Sequence, residues 1–408
     1  MTATNDTTDQ AGTERPEAAG VTAARGFRAA GLVAGIKKSG NPDLALVVND
    51  GPRFDAAGVF TRNQVKAAPV LWSQQVLESG ALRAVVLNSG GANACTGPEG
   101  FQTAHATAEK VAEELGCGAV EVAVCSTGLI GEQLPRETVL AGVTAATGEL
   151  ADTPEAGTAA ARAIMTTDTL PKEAGVADPA GWSVGGITKG AGMIAPSMAT
   201  MLTVLTTDAV VDRSTLDAAL HEAVRYSFDR LDVDGSMSTN DTVLVLASGA
   251  SGIEADPAVF TAALTRTCRD LAAQMQADAE GVTKRITVRV TGAASEDDAV
   301  VVARTIARDA LVKTAMFGSD PNWGRVAAAA GYADAHVDPE RLDVTINGVL
   351  LCKGAVVAGD RADCDLSGQD VLVEVELGLA GGVEGNTAEI RTTDLSHAYV
   401  EENSAYSS

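Results

Sequence analysis

Residues Trp182–Val211, WSVGGITKGAGMIAPSMATMLTVLTTDAVV, decide how the chain is read. Met201–Thr207 is apolar and Thr-rich, which reads as a buried strand. Ahead of it the glycines read as a loop. Gly190 and Gly192 permit backbone shapes closed to other residues, and Pro196 fixes φ and interrupts pairing. Thr200 then opens the strand.

Outward from this segment, strands and helices mix without a clean βαβ repeat. "LALVVND" and "AAGVFTRN" are short apolar runs bounded by turn residues. Ala84–Leu87 is a buried strand that enters a Gly- and Asn-rich loop. "GFQTAHATAEKVAEELG" has helical periodicity and a Gly stop at Gly116. "VEVAVCSTGLIGEQLP" repeats that plan, and "AAARAIMTTD" is a helix running to a Thr-rich turn. Helices are expected over Ser214–Tyr226, Pro257–Asp278 and the whole of "EDDAVVVARTIARDALVKTAMFG". Strands are expected over Thr242–Ala247, "RITVRVTGA" and within Leu342–Glu376. This mixture predicts a layered α/β or α+β fold.

The 408 residues are 46% hydrophobic but only 3% aromatic, so the core must be built from Ala, Val, Leu and Ile. A net charge of -24 repels phosphate backbones and anionic lipid, arguing against nucleic acid and membrane surfaces as partners. It leaves room for a small-molecule substrate in a local basic pocket. No apolar run reaches the ~18 residues of a spanning helix. Met1–Gly20 lacks the basic and apolar regions of a secretion signal and reads as a flexible tail of a cytoplasmic protein. The six cysteines form no CxxC pair and read as buried thiols of a reducing compartment.

"KGAGMIAPSMATML", Lys189–Leu202, carries the chemistry. A threonine hydroxyl needs an adjacent base, and its own free α-amine, of pKa roughly 7.7–8.0, is well matched to neutral pH. An internal threonine has no such amine, so the Ala199–Thr200 bond must be cut first. An N→O acyl shift in a strained Gly/Pro loop is a route to that cut. The residues alone also fit a plain buried strand with Thr200 hydrogen-bonded to backbone. "DRLDVDGSMSTNDT" mimics part of a calcium loop, but Arg230 stands where the first carboxylate ligand belongs. It reads as a turn-rich structural loop. "GGANACTG" lacks the phosphate-loop lysine pattern. The four histidines support neither a triad nor a metal site.

"KGAGMIAPSMATML" resembles the cleavage motif of the ornithine acetyltransferase family, the glutamate N-acetyltransferases of arginine biosynthesis. Further blocks match in family order: "GVFTRNQVKAAPV", "VVLNSGGANACTG", "CSTGLIGEQLP", "IMTTDTLPK", "SFDRLDVDGSMSTNDT", "ADAEGVTK", "LVKTAMFGSDPNWGR" and "RTTDLSHAYVEENSAYS". So many blocks in order, over nearly the whole chain, are highly specific.

The resemblance implies an α/β fold, a layered αββα-type sandwich with mixed sheets, of the self-cleaving N-terminal-nucleophile amidohydrolase kind. It implies a cut before Thr200, giving an α chain to Ala199, with 21–199 as its folded part, and a β chain over 200–408. The two stay together as an α2β2 heterotetramer. Thr200 becomes the nucleophile and carries the acetyl group from N-acetylornithine to glutamate in ping-pong fashion. Thr127 and Gly128 match the oxyanion site, where one hydroxyl and one backbone N–H converge. Substrate contacts fall at Thr166 and Thr167 (the second favoured), Lys189, Glu280, Asn403 and Ser408. No metal or other cofactor is implied. Family members divide over acetyl-CoA as a further donor, and these residues leave that open. A related amidase or aminopeptidase using water as acceptor is the alternative. "FGSDPNWGR" reads as a turn, with Asp320 and Arg325 bracing it and Trp323 walling a pocket.

Overall fold

The computed structural model describes residues 19–195, 201–379 and 386–405. In chain order the first elements are β1 (Phe27–Leu32), β2 (Leu44–Asn49), β3 (Asp55–Phe60), α1 (Ala68–Leu77), β4 (Ala84–Ser89), α2 (Gly97–Leu115), β5 (Val122–Thr127), α3 (Arg136–Gly148) and α4 (Pro154–Ala163). There follow β6 (Lys172–Ala177), β7 (Ser183–Lys189), β8 (Leu202–Thr207), α5 (Arg213–Arg225), β9 (Thr242–Ala247) and α6 (Pro257–Ala277).

Every residue of β2, β4, β5, β8 and β9 is buried, as their unbroken apolar runs require; such strands need cover on both faces. Two mixed sheets supply it, in the orders β1-β2-β4-β5 and β3-β9-β8-β7-β6. β4/β5 and β8/β9 are parallel, while the other pairs in these two sheets are antiparallel. Successive side chains of a strand point to opposite faces. Leu244 and Leu246 of β9 accordingly join the core shared with β2, β4 and helices α2, α3 and α4. Val243, Val245 and Ala247 join the core under α5 and α6. The layers therefore run helix, sheet, sheet, helix. Each fully buried Leu or Val contributes about 1.5–3 kcal/mol of transfer free energy.

The rest of the chain forms β10 (Arg285–Thr291), α7 (Glu296–Arg308), α8 (Ala310–Phe317), α9 (Trp323–Gly331), β11 (Asp343–Ile346), β12 (Val349–Lys353), β13 (Val356–Val357), β14 (Asp370–Glu376), β15 (Ala388–Thr393) and α10 (His397–Ala405). Its sheet, β13-β12-β11-β14-β10-β15, has one apolar face and one wet face. Ile286, Val288 and Val290 pack with α7 and α9, while Arg285 and Arg289 pair across strands with Asp370, Glu374 and Glu389. Exposed pairs of this kind contribute about 0–1 kcal/mol each, so the apolar alternation holds the unit.

Several local expectations meet a different outcome. The segment read as a Gly-rich loop contains β7, a fully buried strand. Its glycines admit close neighbours: a Cβ on Gly185 would lie 2.1 Å from Gly20 O. The long helix expected from Glu296 breaks at Asp309, whose ψ of 119° leaves the helical region and whose side chain caps α8 at Val312 N. Asp320 braces the turn by accepting from Asn322, while the Arg325 side chain donates to Leu311 O of the preceding helix. Trp323 packs against the third core, and Asn322 caps α9 beneath it. Finally, the cysteines are not all buried: Cys95 is exposed and Cys117 half-buried, though all six are unbridged. Gly20, placed in the tail by the sequence, donates to Ala174 O. No helix among the described residues is long and apolar enough to cross a membrane.

Candidate active site

β4 and β5 end side by side at Ser89 and Thr127. Loops leaving the carboxyl ends of parallel strands frame a crevice, the usual ligand position in open α/β sheets. Gly128 lets the two loops touch. Its φ is +125°, and a Cβ there would lie 2.6 Å from Gly91 N. Gly91 N–H donates to Thr127 O at 3.0 Å and Ala92 N–H to Leu129 O at 2.8 Å. From the second sheet, the Asn240 amide fixes both loops, donating to Ala92 O at 2.6 Å and Ser126 O at 2.8 Å.

The resulting cavity is lined by Ala92, Thr127, Gly128, Ile130, Thr166, Thr167, Lys189, Gly192, Met193, Ser238, Thr239, Asn240, Glu280 and Asn403. Thr127, Gly128, Thr166, Thr167, Lys189, Glu280 and Asn403, all expected at the site, are thus brought together from distant segments. Ala199, Thr200 and Ser408 lie outside the described residues.

Three chemistries meet in this space. Thr127 and Gly128 line it, and neither the Thr127 hydroxyl nor the Gly128 N–H donates to another group among the described residues. Lys189, at the end of β7, brings an ammonium on a side chain only 2% exposed. Burial lowers its pKa, opposed by the charge of Asp168 3.9 Å away. Burial alone would raise Asp168, but Lys189 and Lys172 overcome it and hold Asp168 below the usual carboxylate range. Glu280 brings an oriented carboxylate: Thr167 Oγ1 donates to Oε1 at 2.7 Å, and Asn403 Nδ2 to Oε2 at 2.9 Å. A Cβ on Gly192 would lie 2.3 Å from that carboxylate and would push it from this position. Thr166 differs from Thr167: its N–H donates to Asp168 Oδ2 at 3.0 Å.

The loop read as a failed calcium site anchors the neighbouring chain. Asp234 accepts Met193 N–H at 2.7 Å, Ile194 N–H at 3.0 Å and Ser236 N–H at 3.1 Å. Burial pushes its pKa up to about 6 despite those donors, helped by the Glu280 charge. Asp241 accepts Met201 N–H at 3.2 Å, and burial raises its pKa well above the ordinary value. Asp232 pairs with Arg308 at 2.6 Å. Two aspartates of one loop therefore grip the chain just before residue 196 and just after residue 200.

The ArgJ family model matches residues 28–408. The chain belongs to the ArgJ family. The arginine biosynthesis bifunctional protein ArgJ of Mycolicibacterium paratuberculosis is 64% identical over 394 residues, covering 95% of this chain and 96% of the relative. The ArgJ protein of Streptomyces coelicolor is 58% identical over 388 residues, covering 95% and 100%. A solved chain of the Mycobacterium tuberculosis ornithine acetyltransferase, complexed with ornithine, is 60% identical, covers 44% of this chain and 96% of itself, and has a TM-score of 0.43.

Sequence reasoning missed Ser238, Thr239 and Asn240 as lining residues of the ArgJ cavity. Their signal was present: a Ser-Thr-Asn string directly before a buried strand. It also missed Asp168 and Lys172, two opposite charges four residues apart in the Thr-rich block beside Thr167.

Proposed function

We propose that this chain is an acetyltransferase of arginine biosynthesis, moving the acetyl group from N-acetylornithine to glutamate through an acetyl ester on Thr200. The observation that carries the reading is one cavity that joins Thr127 and Gly128, whose hydroxyl and N–H have no acceptor among the described residues, a buried ammonium and an oriented carboxylate. Family membership and the ornithine named with the Mycobacterium tuberculosis relative support it.

The chain first cuts itself between Ala199 and Thr200, giving an α chain, Met1–Ala199, and a β chain, Thr200–Ser408. The freed amine of Thr200 takes the proton of its own hydroxyl, and the hydroxyl oxygen attacks the acetyl carbonyl. Thr127 Oγ1–H and Gly128 N–H donate to the developing oxyanion; each such donor is worth roughly 10²–10³ in rate. Lys189 receives the α-carboxylate of the substrate, and Glu280 accepts from an ammonium of ornithine. Asn403 and Thr167 hold Glu280 in place. The Thr200 amine returns the proton to the leaving amine, ornithine departs, and the amine of glutamate attacks the ester. The α and β chains pair twice, as an α2β2 heterotetramer in the cytoplasm. Acetyl-CoA-dependent synthesis of N-acetylglutamate is a further activity for the same ester to serve.

Rapid-mix assay tests this. N-acetylornithine alone should release one ornithine per site and then stop, with glutamate restoring turnover. Continuous acetate release without glutamate would instead make water the acceptor.

A further inference from the structure

Lys172 opens β6 and faces Thr188 of β7 in register, one residue before Lys189. It is 1% exposed and does not line the cavity. Its ammonium donates to Asp168 Oδ1 at 2.7 Å and Asp278 Oδ2 at 2.5 Å. Asp168 Oδ1 also accepts Gly190 N–H at 2.7 Å. Asp278 accepts Thr169 N–H at 3.0 Å and the Thr169 hydroxyl. Lys189 stands 3.9 Å from Asp168 Oδ2. A direct ammonium–carboxylate bond is roughly 2.7–2.9 Å long, so this pair is not closed.

The arrangement holds two lysines and two carboxylates, and Lys172 donates to both carboxylates. Lys189 is left without a direct bond to Asp168, whose Oδ1 is taken by the Lys172 ammonium and Gly190 N–H. A buried carboxylate deprived of its partner recruits another. Without Lys172, that partner for Asp168 is Lys189, and a substrate carboxylate would then compete with Asp168 for the same ammonium.

We infer that Lys172 is a positioning residue for substrate recognition: by holding Asp168 and Asp278 it keeps Lys189 from closing onto Asp168 and leaves it open to a substrate carboxylate. This rests on the reading of Lys189 as the carboxylate receptor.

The test is steady-state kinetics with N-acetylornithine and glutamate on the self-processed enzyme, comparing Lys172→Met, Asp168→Asn, their double variant and Lys189→Met. Lys172→Met should raise KM for N-acetylornithine by about tenfold with little change in kcat, and adding Asp168→Asn should bring KM back toward wild type. An unchanged KM in Lys172→Met, or a double variant worse than either single, overturns the inference. Should Lys172→Met not fold, Asp168→Asn decides alone. KM is expected to hold or fall, and a rise means that Asp168 serves Lys189 rather than competes for it, which overturns the inference. Lys189→Met with wild-type KM would bring down the carboxylate reading itself, and the inference with it.

Discussion

The Asp234 carboxylate accepts the N–H of Met193 at 2.7 Å, holding a non-glycine residue at φ +55° at the edge of the cavity. A left-handed residue of this kind is costly unless its surroundings fix it.

That relationship carries a pH dependence. Burial raises Asp234 from 3.8 to about 6 in the folded chain. Between those values the folded state binds a proton that the unfolded state has released. The contribution of Asp234 to stability is therefore full below about pH 4 and is lost as pH climbs to about 6. Denaturant unfolding of wild type and Asp234→Asn across this range should show wild type losing stability relative to the variant as pH rises. Parallel curves would contradict it.

Asn240→Ala removes the donor shared by Ala92 O and Ser126 O. Leaving buried carbonyls without it costs about 1–3 kcal/mol. Because the same bonds fix the loops bearing Thr127 and Gly128, kcat should fall with stability. Urea unfolding beside kcat checks this, and a destabilised enzyme of normal kcat would refute the coupling.

Gly128→Ala drives a Cβ against Gly91 N in a conformation that alanine avoids. Displacing one oxyanion donor should lower kcat by about 10²-fold with KM little moved. A change confined to KM would argue that Gly128 shapes substrate binding instead.

Glu280→Gln keeps the size of the side chain that meets Thr167 and Asn403 but removes its charge. A charge-assisted hydrogen bond is worth about 1.5–3 kcal/mol, so KM for N-acetylornithine should rise at least about tenfold. Glutamate carries a carboxylate where ornithine carries an ammonium, so its KM should hold or fall. Equal rises for both substrates would remove Glu280 from ornithine recognition.

Much of this was legible in the chain. β8 and β9 were readable because buried strands are continuous apolar runs, and α6 because Pro257 follows the capping Asp256. Thr127, Gly128, Thr166, Thr167, Lys189, Glu280 and Asn403 were named through family blocks rather than through periodicity. β7 was misread because Gly185 and Gly186 carry no strand signal; their reason is the backbone and Leu205 pressing from other segments. The break at Asp309 is a cap competing with helical periodicity. Asn240 acts on carbonyls of another sheet, and Lys172 is buried by a turn at Asp278; neither distance is written locally.

Intact mass after incubation with N-acetylornithine alone, for wild type and Thr200→Ala, reads the chain cut and the acetyl ester in one experiment. Wild type should give two fragments meeting at Ala199/Thr200, the second heavier by one acetyl group, and the variant a single unacetylated chain. An uncut wild-type chain that still transfers acetyl would contradict it, removing the α-amine base and Thr200 as nucleophile.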